Sequence, residues 1–249
     1  MNKIERQNII LHEASIHNRV LLNDLATLLN VSADTIRRDI IELDNDSKIK
    51  RIHGGAQAIS YQPYSYNAQT VYARDKKLVI AQKAVSLIAP NSVSLISGGT
   101  TNLELARVIP NDLEATFFTP SLPIAMQLIE CEELEVIFLG GRLSKESQIA
   151  LGGNVIHTLA EIKFDNCFLG TSYLDVEHGL TEPDWEVVQL KKAMIKASKK
   201  IISLSIFEKL GTIQRYKVCD ITTINTLVTE LEPNNNLLQN YQNKGLEIL

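Results

Sequence analysis

Cysteine is scarce in this chain of 249 residues: there are three, at Cys131, Cys167 and Cys219. They lie far apart, are odd in number and have apolar flanks, which excludes a disulfide framework and predicts buried, reduced thiols of a cytoplasmic protein. The five histidines are scattered without metal-ligand spacing, so neither a metal centre nor a cofactor is expected. No run of eighteen apolar residues is present, so no membrane span is expected. The opening Met1-Asn2-Lys3-Ile4-Glu5-Arg6 is charged and has no apolar core, unlike a signal peptide. Excess positive charge is missing as well. The formal net charge is −4, so any nucleic-acid binding must depend on where charge sits. What remains is a 45% hydrophobic chain, long enough for a small domain and one of ordinary size.

The most informative stretch runs from Val31 to Leu43. Ser32 is suited to cap a helix, because its hydroxyl can accept from a free backbone N–H of the first turn. Val31 and Ile36 occupy the staple positions. Ile36, Ile40 and Leu43 repeat at helical spacing and are predicted to face a core. Asp34, Thr35, Arg37 and Arg38 are left facing outward near the helix N-terminus. The preceding Leu22, Leu25, Ala26, Leu28 and Leu29 form an apolar stripe, and Asn30 suits a left-handed stop. A third amphipathic helix is predicted from Ile4 to Ala14. After the second helix, Lys48 to Ile59 reads as two short strands around His53-Gly54-Gly55, the wing of a winged helix.

In such a module the N-terminal end of the second helix reaches base edges and phosphates. Thr35 and Arg38 are predicted at the bases or groove phosphates, with Ser32, Asp34 and Arg37 beside them. Lys48, Lys50 and Arg51 are predicted on phosphate, which positions without reading sequence. His53 is either a phosphate donor or a turn residue, the turn being preferred. Two plainer readings stand beside these: a solvated arginine pair, and a winged helix used for protein contacts.

These residues resemble the DNA-binding end of the DeoR family of bacterial transcriptional regulators. The likeness rests on Glu5-Arg6, Leu25-Ala26, Val31-Ser32, Thr35-Ile36-Arg37-Arg38-Asp39, Glu42-Leu43 and Lys50-Arg51-Ile52-His53-Gly54-Gly55-Ala56. Leu21 departs from the Ser or Thr that often caps the motif's first helix. The resemblance implies double-stranded operator DNA as partner, bound by a homodimer or higher homo-oligomer.

The DNA-binding domain is predicted over 1–59, a polar, tyrosine-rich linker over 60–75, and a second domain over 76–249. There, strand candidates at Val93–Ile96, Ala115–Thr119, Leu134–Leu139, Phe164–Leu169, Lys200–Ser205 and Thr223–Val228 alternate with helices. The predicted fold class is α/β: a winged helix-turn-helix joined to a doubly wound sensor domain with a mainly parallel sheet. Ligands in such folds sit at the carboxyl ends of the strands. Ser97-Gly98-Gly99-Thr100-Thr101 lies at one such end. Its glycines let amides approach an anion, and the following helix points its positive end there. It is also compatible with a mere strand-to-helix turn. Loops at Gly141 and Gly170 are expected at the same edge.

The resemblance continues through this half at Gly99-Thr100-Thr101, Leu139-Gly140-Gly141, Gly152, Phe168-Leu169-Gly170, Gly179-Leu180-Thr181, Glu186, Lys209 and Gly211. The family's sensor domain is similar to ribose-5-phosphate isomerase and binds phosphorylated sugars or related metabolites. By that likeness Thr100 and Thr101 hold a phosphate, Lys209 approaches anionic or hydroxyl groups, and Glu186 faces the sugar. Ser97 and Ile206 stand where the family usually has Asp, and Glu208 where it has Ser. Loss of those acids removes a positioned base and argues against catalysis. A metabolite-responsive repressor of a carbohydrate operon is therefore the leading expectation. The alternatives are an isomerase with an added DNA module, and a ligand-independent oligomerising regulator.

Overall fold

Leucine and isoleucine at three- and four-residue spacing build the helices of the first unit, Met1–Tyr72, which is compact in itself, as is the second, Ala73–Leu249. The computed structural model describes residues 1–17, 19–58, 73–145 and 147–249. In the first unit, α1 (Lys3–His17), α2 (Leu22–Leu29) and α3 (Ala33–Asn45) surround Ile10, Leu25, Ile36, Ile40 and Leu43, all at most 2% exposed. Leu28 is not part of that core. It is 58% exposed, on the outer side of α2. Asn30 adopts φ 51° and ends α2 in the left-handed conformation expected of it.

Three strands close the unit: β1 (Arg19–Leu21), β2 (Ile49–Ile52) and β3 (Gly55–Ala58), in the order β1-β3-β2, all antiparallel. The β2–β3 hairpin is the wing, turning on His53-Gly54, and β1 is an addition to the predicted pair of strands. Gly55 is required by close approach: a Cβ there would lie 1.9 Å from the Val20 carbonyl oxygen. Leu21 gives α2 no side-chain cap, but the Leu22 amide donates to the Gly54 carbonyl at 2.8 Å. The wing turn thus satisfies one of the first-turn amides of α2 that have no acceptor within the helix.

The second unit begins with α4 (Arg74–Val85), so residues 74 and 75, read as linker, belong to a helix. Ala73 stands at the N-cap of that helix, and residues 60–72 of the predicted linker lie outside the described residues. Then come β4 (Val93–Ile96), α5 (Thr100–Val108), β5 (Ala115–Thr119), α6 (Leu122–Leu128), β6 (Leu134–Phe138), the hairpin β7 (Arg142–Leu143) and β8 (Ala150–Leu151), and α7 (Gly153–Ala160). They are followed by β9 (Phe164–Gly170), β10 (Tyr173–Asp175), β11 (Gly179–Glu182), α8 (Trp185–Ala197), β12 (Ser198–Leu204), β13 (Tyr216–Cys219), β14 (Thr226–Val228), α9 (Gln239–Asn243) and β15 (Glu247–Ile248). Seven strands make one parallel sheet in the order β15-β14-β12-β9-β4-β5-β6. The chain winds outward from β4 through β5 and β6, then returns to β4's other side with β9. The switch point therefore falls between β4 and β9, where open α/β sheets bind ligands.

A second, antiparallel sheet, β10-β11-β13, was not anticipated. Cys131 and Cys167 are free and buried, whereas Cys219, predicted buried, is only half-buried. Among the described residues no helix is long and apolar enough to cross a membrane, and no cluster of metal-ligating side chains occurs.

Candidate DNA interface and effector site

The recognition helix α3 starts as its sequence dictates. Ser32 is extended (φ −68°, ψ 149°), and its Oγ accepts from the Thr35 amide at 3.2 Å and lies 2.9 Å from Thr35 Oγ1. Asp34, Arg37 and Arg38 are exposed, and Thr35 is half-buried. Arg37 Nη1 pairs with Asp34, one turn back. Arg38 has no ion-pair partner among the described residues. Lys48 Nζ lies 3.2 Å from Asp46, and Lys50, Arg51 and His53 are exposed along the wing. The Arg51 amide donates to Asp44 Oδ1 at 2.9 Å, which ties the wing's first strand to the end of α3.

Asp39, third in the Arg-Arg-Asp run, faces inward and is 2% exposed. Arg6 of α1 meets it with two donors, Nε to Oδ2 and Nη2 to Oδ1, the latter at 3.0 Å. Such a bidentate pair fixes orientation as well as charge. Sequence reasoning missed it. The available signal was a carboxylate inside the Ile36–Ile40–Leu43 stripe.

At the switch point, the loops after β4 and β9 interlock. The Ser97 amide donates to Phe168 O at 3.0 Å, and the Gly170 amide donates to Ser97 Oγ at 2.8 Å. Buried Asn102 donates from Nδ2 to Ser97 O (2.9 Å), Ser97 Oγ (3.1 Å) and Phe168 O (3.1 Å). Ser97, expected to face a ligand, is 3% exposed, and its hydroxyl braces the two loops internally. Gly170 admits no side chain, since a Cβ would stand 2.4 Å from Gly98 O. Gly98, Gly99 and Thr100 are half-buried and Thr101 is buried. The first helical bond of α5 is Leu103 N–H to Gly99 O, so the amides of its opening turn have no acceptor within the helix.

Two lysines approach the β9 loop from different elements. Lys191 Nζ donates to Gly170 O at 2.6 Å and pairs with Glu182, all in a nearly dry setting. Lys209 Nζ donates to Thr171 O at 3.3 Å. Burial pushes the Lys209 pKa down to about 8, partly countered by the charge of Glu182. A third lysine, Lys77, is 4% exposed on the inner face of α4 beside Ile80, Ala81 and Ala84. Burial, with neighbouring Lys209, takes its pKa down to about 7. Neither Lys77 nor Lys191 was foreseen, although both stand in apolar helical registers. Glu186 and Gly141 are associated elsewhere: Arg142, next to Gly141, donates from Nη2 to Glu186 Oε1 at 2.6 Å on an exposed surface. The structure thus brings Gly98, Gly99, Thr100, Thr101, Gly170 and Lys209 to one edge, and bonds Glu186 to Arg142.

Residues 6–62 match the DeoR-like helix-turn-helix domain, and residues 73–231 match the DeoR C-terminal sensor domain. The chain belongs to the DeoR family of transcriptional regulators. It is 31% identical to the HTH-type transcriptional repressor GlcR of Bacillus subtilis, over 100% of this chain and 96% of that protein. It is 28% identical to the HTH-type transcriptional regulator GolR of Listeria innocua (100% and 98% covered). It is 30% identical to the HTH-type transcriptional regulator GlpR of Haloferax volcanii (91% and 89%). Ribose 5-phosphate isomerase A from Methanocaldococcus jannaschii overlaps at 19% identity and TM-score 0.41, over 55% of this chain and 54% of that one, too partial to bear on activity. Within the DeoR family the first unit is a DNA-binding module, and the protein regulates transcription through it.

Proposed function

We propose that this DeoR-family regulator represses a carbohydrate-metabolism operon and that a phosphorylated sugar or related anionic metabolite, bound at the β4/β9 switch point, controls its grip on DNA. The observation that carries the reading is Lys209. Its side chain is half-buried, and its ammonium is held by a single 3.3 Å bond to Thr171 O, next to the Gly170 that packs on Gly98. An anion there gains two kinds of donor at once: a cation and amides carrying the helix's positive end. Thr100 and Thr101 supply hydroxyls. On the DNA side, Arg38, Lys50 and Arg51 present the exposed cations. One small winged helix specifies weakly, so two or more copies act together on a symmetric site.

No catalytic role is assigned. Ile206, 1% exposed, and Ser97, internally bonded, leave no acid at the two positions where the family's carboxylates stand. The test is selection of bound DNA from a random pool with and without metabolite extract, followed by isothermal titration against a panel of sugar phosphates. Recovery of a paired half-site released by a panel member supports the proposal. Silence across the panel sinks the effector reading.

The pH dependence follows from Lys209. Anion binding favours the charged lysine, so affinity is full below its pKa of about 8 and declines as pH rises through it. A sugar phosphate is a dianion above about pH 6. Binding should therefore be tightest near neutrality and weaken by up to about tenfold per pH unit above 8. Isothermal titration with one sugar phosphate, repeated from neutral pH upward, checks this dependence.

A further inference from the structure

Arg38 has a carboxylate one turn back and another one turn on along its helix and pairs with neither. On an α-helix, residues four apart are neighbours, so Asp34 and Glu42 both lie within its reach, and Asp39 is next in the chain. Each is held by another donor. Asp34 is taken by Arg37. Glu42 accepts from Lys3 Nζ at 2.8 Å and from Gln7 Nε2 at 2.9 Å, both on α1. Asp39 is taken by Arg6. Lys3 draws the Glu42 carboxyl below its usual range, with Gln7 adding to the effect.

We propose that Arg37, Lys3 and Gln7 serve DNA recognition by occupying Asp34 and Glu42, so that Arg38 stays the uncompensated cation of the recognition helix. The proposal rests on Arg38 facing DNA, as argued above. A phosphate or base edge approaching Arg38 then displaces water alone. Were Asp34 or Glu42 free, the same approach would first have to break an ion pair. Asp34 is the greater threat, because an acid four residues N-terminal to a base is the favourable orientation on a helix. The arrangement also explains how a module with nearly balanced charge retains a strongly positive spot. Asp34, Asp39 and Glu42 are each held by a cation other than Arg38.

The test is a set of mutant cycles on the full-length protein. Anisotropy is measured in low salt against the operator duplex recovered by selection, with a random-sequence duplex alongside. All the altered side chains on the Asp34–Arg37 and Lys3–Glu42 pairs are about half or more exposed, so the fold tolerates their loss. Arg37→Ala should weaken operator binding by about two- to fivefold, and Lys3→Ala with Gln7→Ala by about twofold. Adding Asp34→Ala to the first, or Glu42→Ala to the second, should restore binding to that of the acid-deleted protein alone. In an Arg38→Ala background, Arg37→Ala should cost nothing further. Equal losses with and without Asp34 would mean that Arg37 touches DNA itself, and would overturn the proposal. Full binding by Arg38→Ala would instead sink the underlying placement of Arg38, which keeps the two failures apart.

Discussion

Arg38→Ala should weaken operator binding by about ten- to a hundredfold while leaving the melting temperature within about a degree of the parent. The size follows from what a base-edge or desolvated phosphate contact by arginine contributes, about 1–3 kcal/mol. Constancy of Tm follows from the structure: the side chain is exposed and has no ion-pair partner among the described residues, so its loss leaves no buried group unsatisfied. The form of the loss then says what the arginine reads. Loss confined to the operator, with random duplex unaffected, assigns Arg38 to a base edge. Uniform loss, with a salt slope smaller by about one, assigns it to a phosphate. Unchanged affinity in anisotropy titrations would remove α3 from the interface. Asp39 is the useful contrast, since it lies beside Arg38 in sequence but is buried against Arg6. Its loss would strand a mostly buried guanidinium and act on the fold rather than the contact.

That contrast shows where the sequence was legible. Capping chemistry is local, so Ser32 could be placed at the start of α3 and Asn30 at the end of α2 from residue type alone. Strands β4 and β5 came out at their observed limits because four- and five-residue apolar runs bounded by turn residues have few other outcomes. The β10-β11-β13 sheet was not legible. Its strands are three or four residues long, and their pairing depends on partners up to about forty residues away. In the candidate site, the close approach of Gly170 to Gly98 follows from small residues at two strand ends, which a sequence displays. Lys77, Lys191, Arg6 and Asp39 were not, because charge in an apolar register looks like noise until the counter-charge from another element is seen. Glu186, expected from the family resemblance to face the sugar, is bonded to Arg142 on an exposed surface, a partner that spacing along the chain does not show.

Lys209→Met should abolish the effector response while leaving operator binding intact and Tm equal to or above that of the parent. The ammonium is costly to keep charged where it sits, as its pKa of about 8 records, and the 3.3 Å bond to Thr171 O offsets little of that cost. An apolar side chain of similar length removes the desolvation penalty and the anion's cation together. Lys191→Met should behave in the opposite way. Its ammonium is bonded to Gly170 O at 2.6 Å and to Glu182, which is only 5% exposed, so its removal leaves a buried carboxylate unpaired and should cost about 3–5 kcal/mol of stability. Thr100→Val, nearly the same shape without the hydroxyl, should spare DNA binding and also lose the response. Thermal shift and DNA release, measured side by side on the three variants, separate a lysine that waits for a ligand from one that holds the loop. Release of DNA by the effector from Lys209→Met at the parent's concentration would place the anion somewhere other than the β4/β9 edge.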